Sequence, residues 1–435
     1  MTLEEAKAFI LGEARKRGLK AEILLQKKQE RAYKAFQGHL EEVLEARQGG
    51  LGLRVEVEGK VGYAYTEEVS KEALAWALEE ARENALLSSK KGFLPKGTPL
   101  GRHDLLGEGL SAPLEAKREA ALALERALGE DPRVRVAQGE YREVEAQAAL
   151  ASTEGAEGAY RFGVALLFGS VVMAEGGSLK QGWEVELSRE FHALEPGKTA
   201  LELREKTGRL LGARPLKTGR YRAYLEPNAF ISLLMVLAPM FSAKEVLDRK
   251  SRLVGLLGER IASPLVTLLD DPTLERGLMS RPFDAEGTPS KKAVLVEEGV
   301  LKSYLHNSET ARLMGQENTG HAFRTYKGSL SILPTNLYLA PGTGVRPQRG
   351  VLVTEFMGVH AGANPVTGEF SLQALGLFLE DGEAHPVENF AVSGNLLELL
   401  EKIEGVGQDL TWKLLGSFAL GSPTVEVAEL SFAGA

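Results

Sequence analysis

The sequence has 435 residues, with 52 Lys plus Arg against 60 Asp plus Glu, a formal net charge of −8 and no cysteine. An acidic chain with a pI near 5.7 is poorly suited to binding a nucleic-acid backbone, which calls for clustered positive charge. Without cysteine there can be no disulfide, no thiolate nucleophile and no thiolate metal ligand.

At roughly 150 residues per domain, two or three domains are expected. Thr2 followed by Glu5 is a capping-box signature, and Leu3, Ala6, Phe9, Ile10 and Ala14 keep helical spacing up to Gly18. This charged N-terminal stretch has no apolar signal core, so no secretory signal is expected and the chain reads as cytoplasmic. "AEILLQKKQERAYKAF" and "GLGLRVEVEGKVGYAYT" read as strands, the second as a hairpin with Leu53, Val55 and Val57 opposite Val61, Tyr63 and Tyr65. "SKEALAWALEEARENALL" is a helix with Ser70 as its N-cap.

The Gly-, Pro-, Ser- and Lys-rich stretch 89–103 reads as a linker between an α/β unit over 1–88 and a second over 104–217. The second unit should hold a helix over 113–128, successive strands turning near Gly155, Gly158 and Gly176, and a helix over 198–212. From 218 to 435 a helical stretch over 228–247 precedes many short strands with turn signals ("DAEG", "PGTG", "EDGE"), the texture of an antiparallel β sandwich or barrel. The fold class is therefore α+β: N-terminal α/β units followed by a mainly antiparallel β-rich domain. The longest apolar run, "ISLLMVLAPMF" (231–241), is too short to span a bilayer, which takes about 20 residues.

Conventional catalytic signatures are absent. None of the seven histidines forms H-E-x-x-H, and there is no G-x-S-x-G elbow or Walker loop. The G-x-G at Gly50–Gly52 lacks the remaining glycines and the lysine of a phosphate loop. His306, His321 and His360 could converge only through folding; singly, each reads as a surface or hydrogen-bonding residue. Asp270 and Asp271 precede a proline and read as turn residues.

The segment "SRPFDAEGTPSKKAVLVEEGVLKSYLHNSETARLMGQENTGHA" (280–322) reads locally as strand, turn, strand, a short helix around Ser308 to Met314, and a hairpin with an exposed basic loop. Together with "VLVTEFMGVHAGANPVTGEFSLQALGLFLEDGEAHPVENFAVSGNLLELLEKIEGVGQDL" (351–410), it resembles the TldD/PmbA family, whose members carry PFDxEG, an ARxxG…TGHA run and a later "GNL…I..VGND". The resemblance covers 280–435 strongly and the N-terminal unit more loosely. TldD-type members carry an H-E-x-x-x-H zinc helix just ahead of this domain and a downstream Cys ligand. On that alignment Met235 and Met240 stand at the two His positions, Val236 at the Glu position and Leu415 at the Cys position. The resemblance thus implies the TldE/PmbA branch: a subunit with no zinc and no catalytic residues of its own. It implies a zinc-bearing TldD-type partner in a heterodimer, or self-association when alone, in a cytoplasmic peptidase for small or unfolded peptides. No membrane or direct nucleic-acid contact is expected.

Arg324, Tyr326 and Lys327 in "TGHAFRTYKG" are the peptide-binding candidates. Two other readings stand beside this one. One is a stand-alone metal-dependent hydrolase using His306, His321 and His360. The other is a protein-binding regulator of the DNA-gyrase-modulator type, a name also attached to the family.

Overall fold

The computed structural model describes residues 3–434, so Thr2 of the expected capping box lies outside the described residues. The chain opens with α1 (Leu3–Lys16), β1 (Lys20–Phe36), β2 (His39–Val57), β3 (Lys60–Thr66) and α2 (Lys71–Leu87). It continues with β4 (Pro99–Asp104), α3 (Leu114–Leu128), β5 (Val134–Ser152), β6 (Glu157–Glu175), β7 (Ser178–Ser188) and α4 (Pro196–Gly208). Ser70 caps α2 as expected, its side chain accepting from the Ala73 N–H at 3.2 Å.

The segments 1–88 and 104–217 share one sheet, in the order β3-β2-β1-β5-β6-β4 with β7 on β6. β1 pairs antiparallel with both β2 and β5, and the end of the stretch expected as a linker supplies β4, parallel to β6. Gly158 is not a turn residue: it lies within β6, where a Cβ would come within 2.6 Å of Leu100 and 2.9 Å of Phe283.

The expected hairpin register is off by one. Glu58 and Gly59 both take positive φ, 52° and 72°, the two-residue turn whose twist suits a hairpin. Val57 therefore pairs with Lys60, Val55 with Gly62, Leu53 with Ala64 and Arg54 with Tyr63. A one-residue shift moves side chains to the opposite face, so Tyr63 and Tyr65 lie with Arg54 and Gly52, away from Leu53 and Val55.

The two faces of β1 explain its continuous buried run over 21–25. Odd positions, Ile23 and Leu25, pack with Leu53 and Val55 under α1 and α2, contributing Ile10 and Leu78. Further along the same face, Tyr33 joins Tyr141 and Leu167 under α3 and α4. The even positions Glu22, Leu24 and Gln26 face the C-terminal domain: Leu24 packs with Leu150, Ala156 and Phe283. Alternation is lost because both faces are covered.

The C-terminal domain is built on five strands that close on themselves. Strand Gly219–Leu225 pairs with Gly350–Met357, which leads through Glu369–Glu380, Glu383–Asn395 and Val425–Ala433 back to the first. All pairings but one are antiparallel, and closure removes exposed edges. A six-stranded sheet, including Leu268–Asp270, Asn336–Leu339, Thr411–Leu415 and Phe418–Ser422, lies beside it. Helix α5 (Pro227–Leu237) packs against both the closed ring and the Phe418–Ser422 strand. Phe230, Ile231, Leu233, Leu234 and Leu237 are each at most 2% exposed. A helix apolar on nearly every side is a buried one, which accounts for the long apolar run. Among the described residues no helix is long and apolar enough to cross a membrane.

The helical stretch expected over 228–247 is three pieces. α5 stops at Leu237, Ala238–Phe241 is a 3-10 turn and Ala243–Leu247 is a short helix. Pro239 has no N–H to continue the α pattern, so the ladder breaks around it.

Candidate functional site

The four positions aligned with zinc ligands and base sit in or against the C-terminal apolar core. Met240 is fully buried and Val236 is 7% exposed; Met235 and Leu415, the last residue of the Thr411–Leu415 strand, are half-buried against the same core. The Met240 carbonyl accepts from Ser251 Oγ at 2.7 Å. Zinc sites take thiolate, imidazole and carboxylate donors, so two thioethers and two alkyl groups do not fit that ion. Among the described residues no group of three or more His, Asp or Glu is arranged to hold a metal. His306 and His321 lie together in the interior, whereas His360 is exposed on the short Val359–Gly362 helix.

The residues of the PFDAEG and TGHAFR motifs form a buried junction between the domains. Asp284 Oδ1 accepts the N–H groups of Glu286 and Thr288, both at 2.9 Å, and Oδ2 accepts that of Ala322 at 3.0 Å. Burial, reinforced by the nearby Glu286 charge, pushes its carboxyl up to about 6. Glu286 accepts from Ser308 N at 2.9 Å and from Arg54 at 3.2 Å. Arg54 also reaches Glu22 at 3.2 Å, and Arg324 reaches the same Glu22 at 3.0 Å. Two arginines and two glutamates from both domains thus form one sealed quartet. Opposite charges within it hold the Arg54 guanidinium above its ordinary value against burial. For Arg324 burial prevails and lowers it.

His321 Nε2 lies 2.8 Å from Asp270 Oδ1, and Asp270 Oδ2 accepts the Thr335 N–H at 2.8 Å. Asp270 is therefore a buried anchor as well as a residue before a turn. Burial, with His321 beside it, pulls the His306 imidazole down to about 4. The neutral ring is preferred in the folded chain. Its contribution is present above the unfolded value of 6.5 and is lost as pH falls towards 4. That loss is on the order of 3 kcal/mol. Denaturant midpoints measured from pH 7 to 4 should show it, and the pH dependence should flatten in His306→Gln.

The three loop candidates border one cleft but differ in exposure. Arg324, expected in an exposed basic loop, is 2% exposed and belongs to the quartet. The hairpin itself is present, with Ala322 and Phe323 opposite Ile332 and Ser331, but the loop beyond it is docked onto β1 and β2. Tyr326 N donates to Gln26 Oε1 at 2.7 Å, and its hydroxyl and the Lys327 ammonium each lie 2.6 Å from Glu67 Oε1. Gly50 and Gly52 make room: a Cβ on Gly52 would lie 2.3 Å from the Tyr326 carbonyl oxygen. That close approach is the role of the G-x-G.

Arg324, Tyr326 and Lys327 line a cleft of about 580 Å³ together with Tyr65, Trp76 and Glu80. Trp76 and Glu80 stand one turn apart on α2, a spacing that marks a shared helix face, and the sequence reading missed both. A larger cleft of about 1230 Å³ opens between β7 and α4 on one side and the C-terminal domain on the other, with Arg189, Glu226, Tyr338 and Trp412 among its lining. Beside it, burial brings the Lys413 ammonium down to about 8, where it sits 4.2 Å over the Trp183 ring.

Profiles of the PmbA/TldA metallopeptidase match three stretches of the chain: domain 1 over 21–85, the central domain over 107–211 and the C-terminal domain over 218–434. A protein of Methanothermobacter thermautotrophicus named as a metalloprotease is 31% identical over 399 residues, 86% of this chain and 84% of its own. The metalloprotease PmbA of Escherichia coli O157:H7 is 26% identical over 424 residues, covering 94% and 92%. Among solved structures, a Thermotoga maritima protein labelled a putative modulator of a DNA gyrase superposes with a TM-score of 0.89 at 30% identity, over 99% of this chain and all of its own. TldE of Thermococcus kodakarensis superposes at 0.88 over 99% of this chain and 100% of its own; at 22% identity that is a likeness of fold. With three profiles in chain order and a relative of this identity aligned over most of its length, the chain belongs to the PmbA/TldD metallopeptidase family.

Proposed function

We propose that this chain is the TldE/PmbA-type, non-catalytic subunit of a cytoplasmic metallopeptidase complex acting on small or unfolded peptides. Zinc and the general base come from a TldD-type relative carrying H-E-x-x-x-H. The observation that carries the reading is the chemistry of Met235, Val236, Met240 and Leu415, four apolar side chains in or against the hydrophobic core, none of them a zinc donor. The metalloprotease names of the relatives support the reaction class. The chain's part is to complete the dimer and hold peptide, with Tyr326 and Lys327 facing a cleft and Arg324 fixing the loop beneath them.

The expected result is that the purified chain holds no stoichiometric zinc and cleaves no peptide alone. Hydrolysis should appear on mixing with the H-E-x-x-x-H relative and disappear when that relative's Glu is replaced by Gln. Cleavage by this chain alone, with about one zinc per chain and no response to the relative, would sink the assignment.

A second reading draws on the gyrase-modulator label of the Thermotoga maritima neighbour. Under it the chain binds gyrase as a protein ligand, and gyrase should co-purify with it from nuclease-treated extract.

A further inference from the structure

We propose that the cleft between α2 and the 318–328 loop is a subsite for a cationic side chain, a lysine or arginine of a bound peptide, held between the Trp76 indole and the Glu80 carboxylate. The proposal rests on the peptide-holding role above and names what the cleft selects.

The charge pattern of the cleft carries the argument. Lys327 is paired with Glu67 at 2.6 Å. The quartet beneath, Arg54, Arg324, Glu22 and Glu286, sums to zero. Glu80 has no ion pair or hydrogen bond among the described residues, although its neighbour Glu79 holds both Arg17 and Arg82. Positions three and four residues either side of Glu80 are Trp76, Ala77, Glu83 and Asn84, so its own helix supplies no counter-ion. Asn84 is already committed, donating to the Tyr63 carbonyl at 3.0 Å. Among the described residues a half-buried carboxylate is left as the one uncompensated charge lining the cleft.

The aromatic groups favour the same occupant. Trp76 is 58% exposed, so its ring is open to a ligand. The ring quadrupole attracts cations, and tryptophan does so best. The cleft already displays this chemistry with a cation of its own: Lys327 Nζ lies 5.9 Å from the Tyr65 ring centre and 5.4 Å from that of Tyr326, with Glu67 as the carboxylate. Those two rings meet edge to face at 6.2 Å. Trp76 with Glu80 repeats the combination of aromatic face and carboxylate on the opposite wall, without a resident ammonium.

The test is a tryptophan-fluorescence titration of the full chain with acetyl-Ala-Ala-Lys-Ala-Ala-amide, against the same peptide with norleucine for lysine. The two peptides match in length and apolar stem and differ in charge. The lysine peptide should bind about tenfold more tightly, weaken as salt is raised, lose its signal in Trp76→Phe and lose about fivefold or more in affinity in Glu80→Gln. Both variants change exposed or half-buried side chains, and unchanged melting temperatures would confirm that they fold. Equal affinity for the two peptides, or an affinity unmoved by Glu80→Gln, would overturn the subsite. Peptide hydrolysis on mixing with the metal-bearing relative reports on the function separately. Hydrolysis indifferent to lysine and to Glu80→Gln removes the subsite and leaves the function standing. Lysine-selective binding without hydrolysis on mixing supports the subsite and removes the function.

Discussion

Replacing Arg54 by methionine is expected to lower stability by about 3–5 kcal/mol, because it strands the buried Glu286 carboxylate and leaves Glu22 with Arg324 alone. Arg54 is the only member of the quartet that touches both Glu22 and Glu286, and its side chain is 4% exposed. Arg324, reaching Glu22 alone, would remain to face a site of net negative charge. Arg324→Met should cost less, because Arg54 still bridges both glutamates. The quartet as a whole need not add much net stability, since desolvating four charges offsets most of their attraction; its members are interdependent, and loss of one is what costs. Adding Glu286→Gln to Arg54→Met should recover part of the loss, as the amide oxygen can still accept from Ser308 N while the stranded charge is gone. Urea midpoints of the two single variants and the double variant decide it. A loss for Arg54→Met no greater than a surface substitution, about 0.5 kcal/mol, would mean that the junction does not depend on its charges.

What could be read from the sequence, and what could not, follows the range of the interactions. Helix α2 was legible because its signals are local: Ser70 at the cap and apolar residues at helical spacing. The apolar run 231–241 stood out by composition alone, and that composition accounts for its burial. The register of the β2–β3 hairpin was missed because Glu58–Gly59 is a two-residue left-handed turn, and one residue of offset exchanges the faces. Arg324 was placed in an exposed loop because its partner, Glu22, lies 302 residues away, and no local pattern distinguishes a paired buried arginine from a free one. The same holds for the candidate cleft. Tyr326 and Lys327 stood in a recognisable motif, but Trp76 and Glu80 read as ordinary positions of an amphipathic helix until the fold set them across from that loop. The PFDAEG and TGHA motifs carried the family resemblance, and their side chains hold turns and join domains.

Gly52→Val should be the more disruptive of two glycine substitutions in the N-terminal domain, and the contrast tests how the loop is docked. A Cβ on Gly52 would lie 2.3 Å from the Tyr326 oxygen, 2.8 Å from its Cα and 2.9 Å from its carbonyl carbon. These are backbone atoms, so no side-chain rotation relieves the overlap and the 318–328 loop must retreat. Retreat pulls Tyr326 N from Gln26 and draws Tyr326 and Lys327 away from Glu67. Overpacking alone costs about 1–3 kcal/mol, and the lost hydrogen bonds add about 1 kcal/mol each. Gly12, inside α1 with nothing within 4 Å of its Cβ position, is the matched control. Gly12→Ala should stabilise by up to about 1 kcal/mol, as glycine is the poorer helix former. Gly52→Val should therefore lower the melting temperature and expose the chain near Thr325 to protease, while Gly12→Ala does neither. If Gly52→Val melts and resists protease like the parent chain, Tyr326 does not rest on β2, and the cleft that depends on that contact loses its wall.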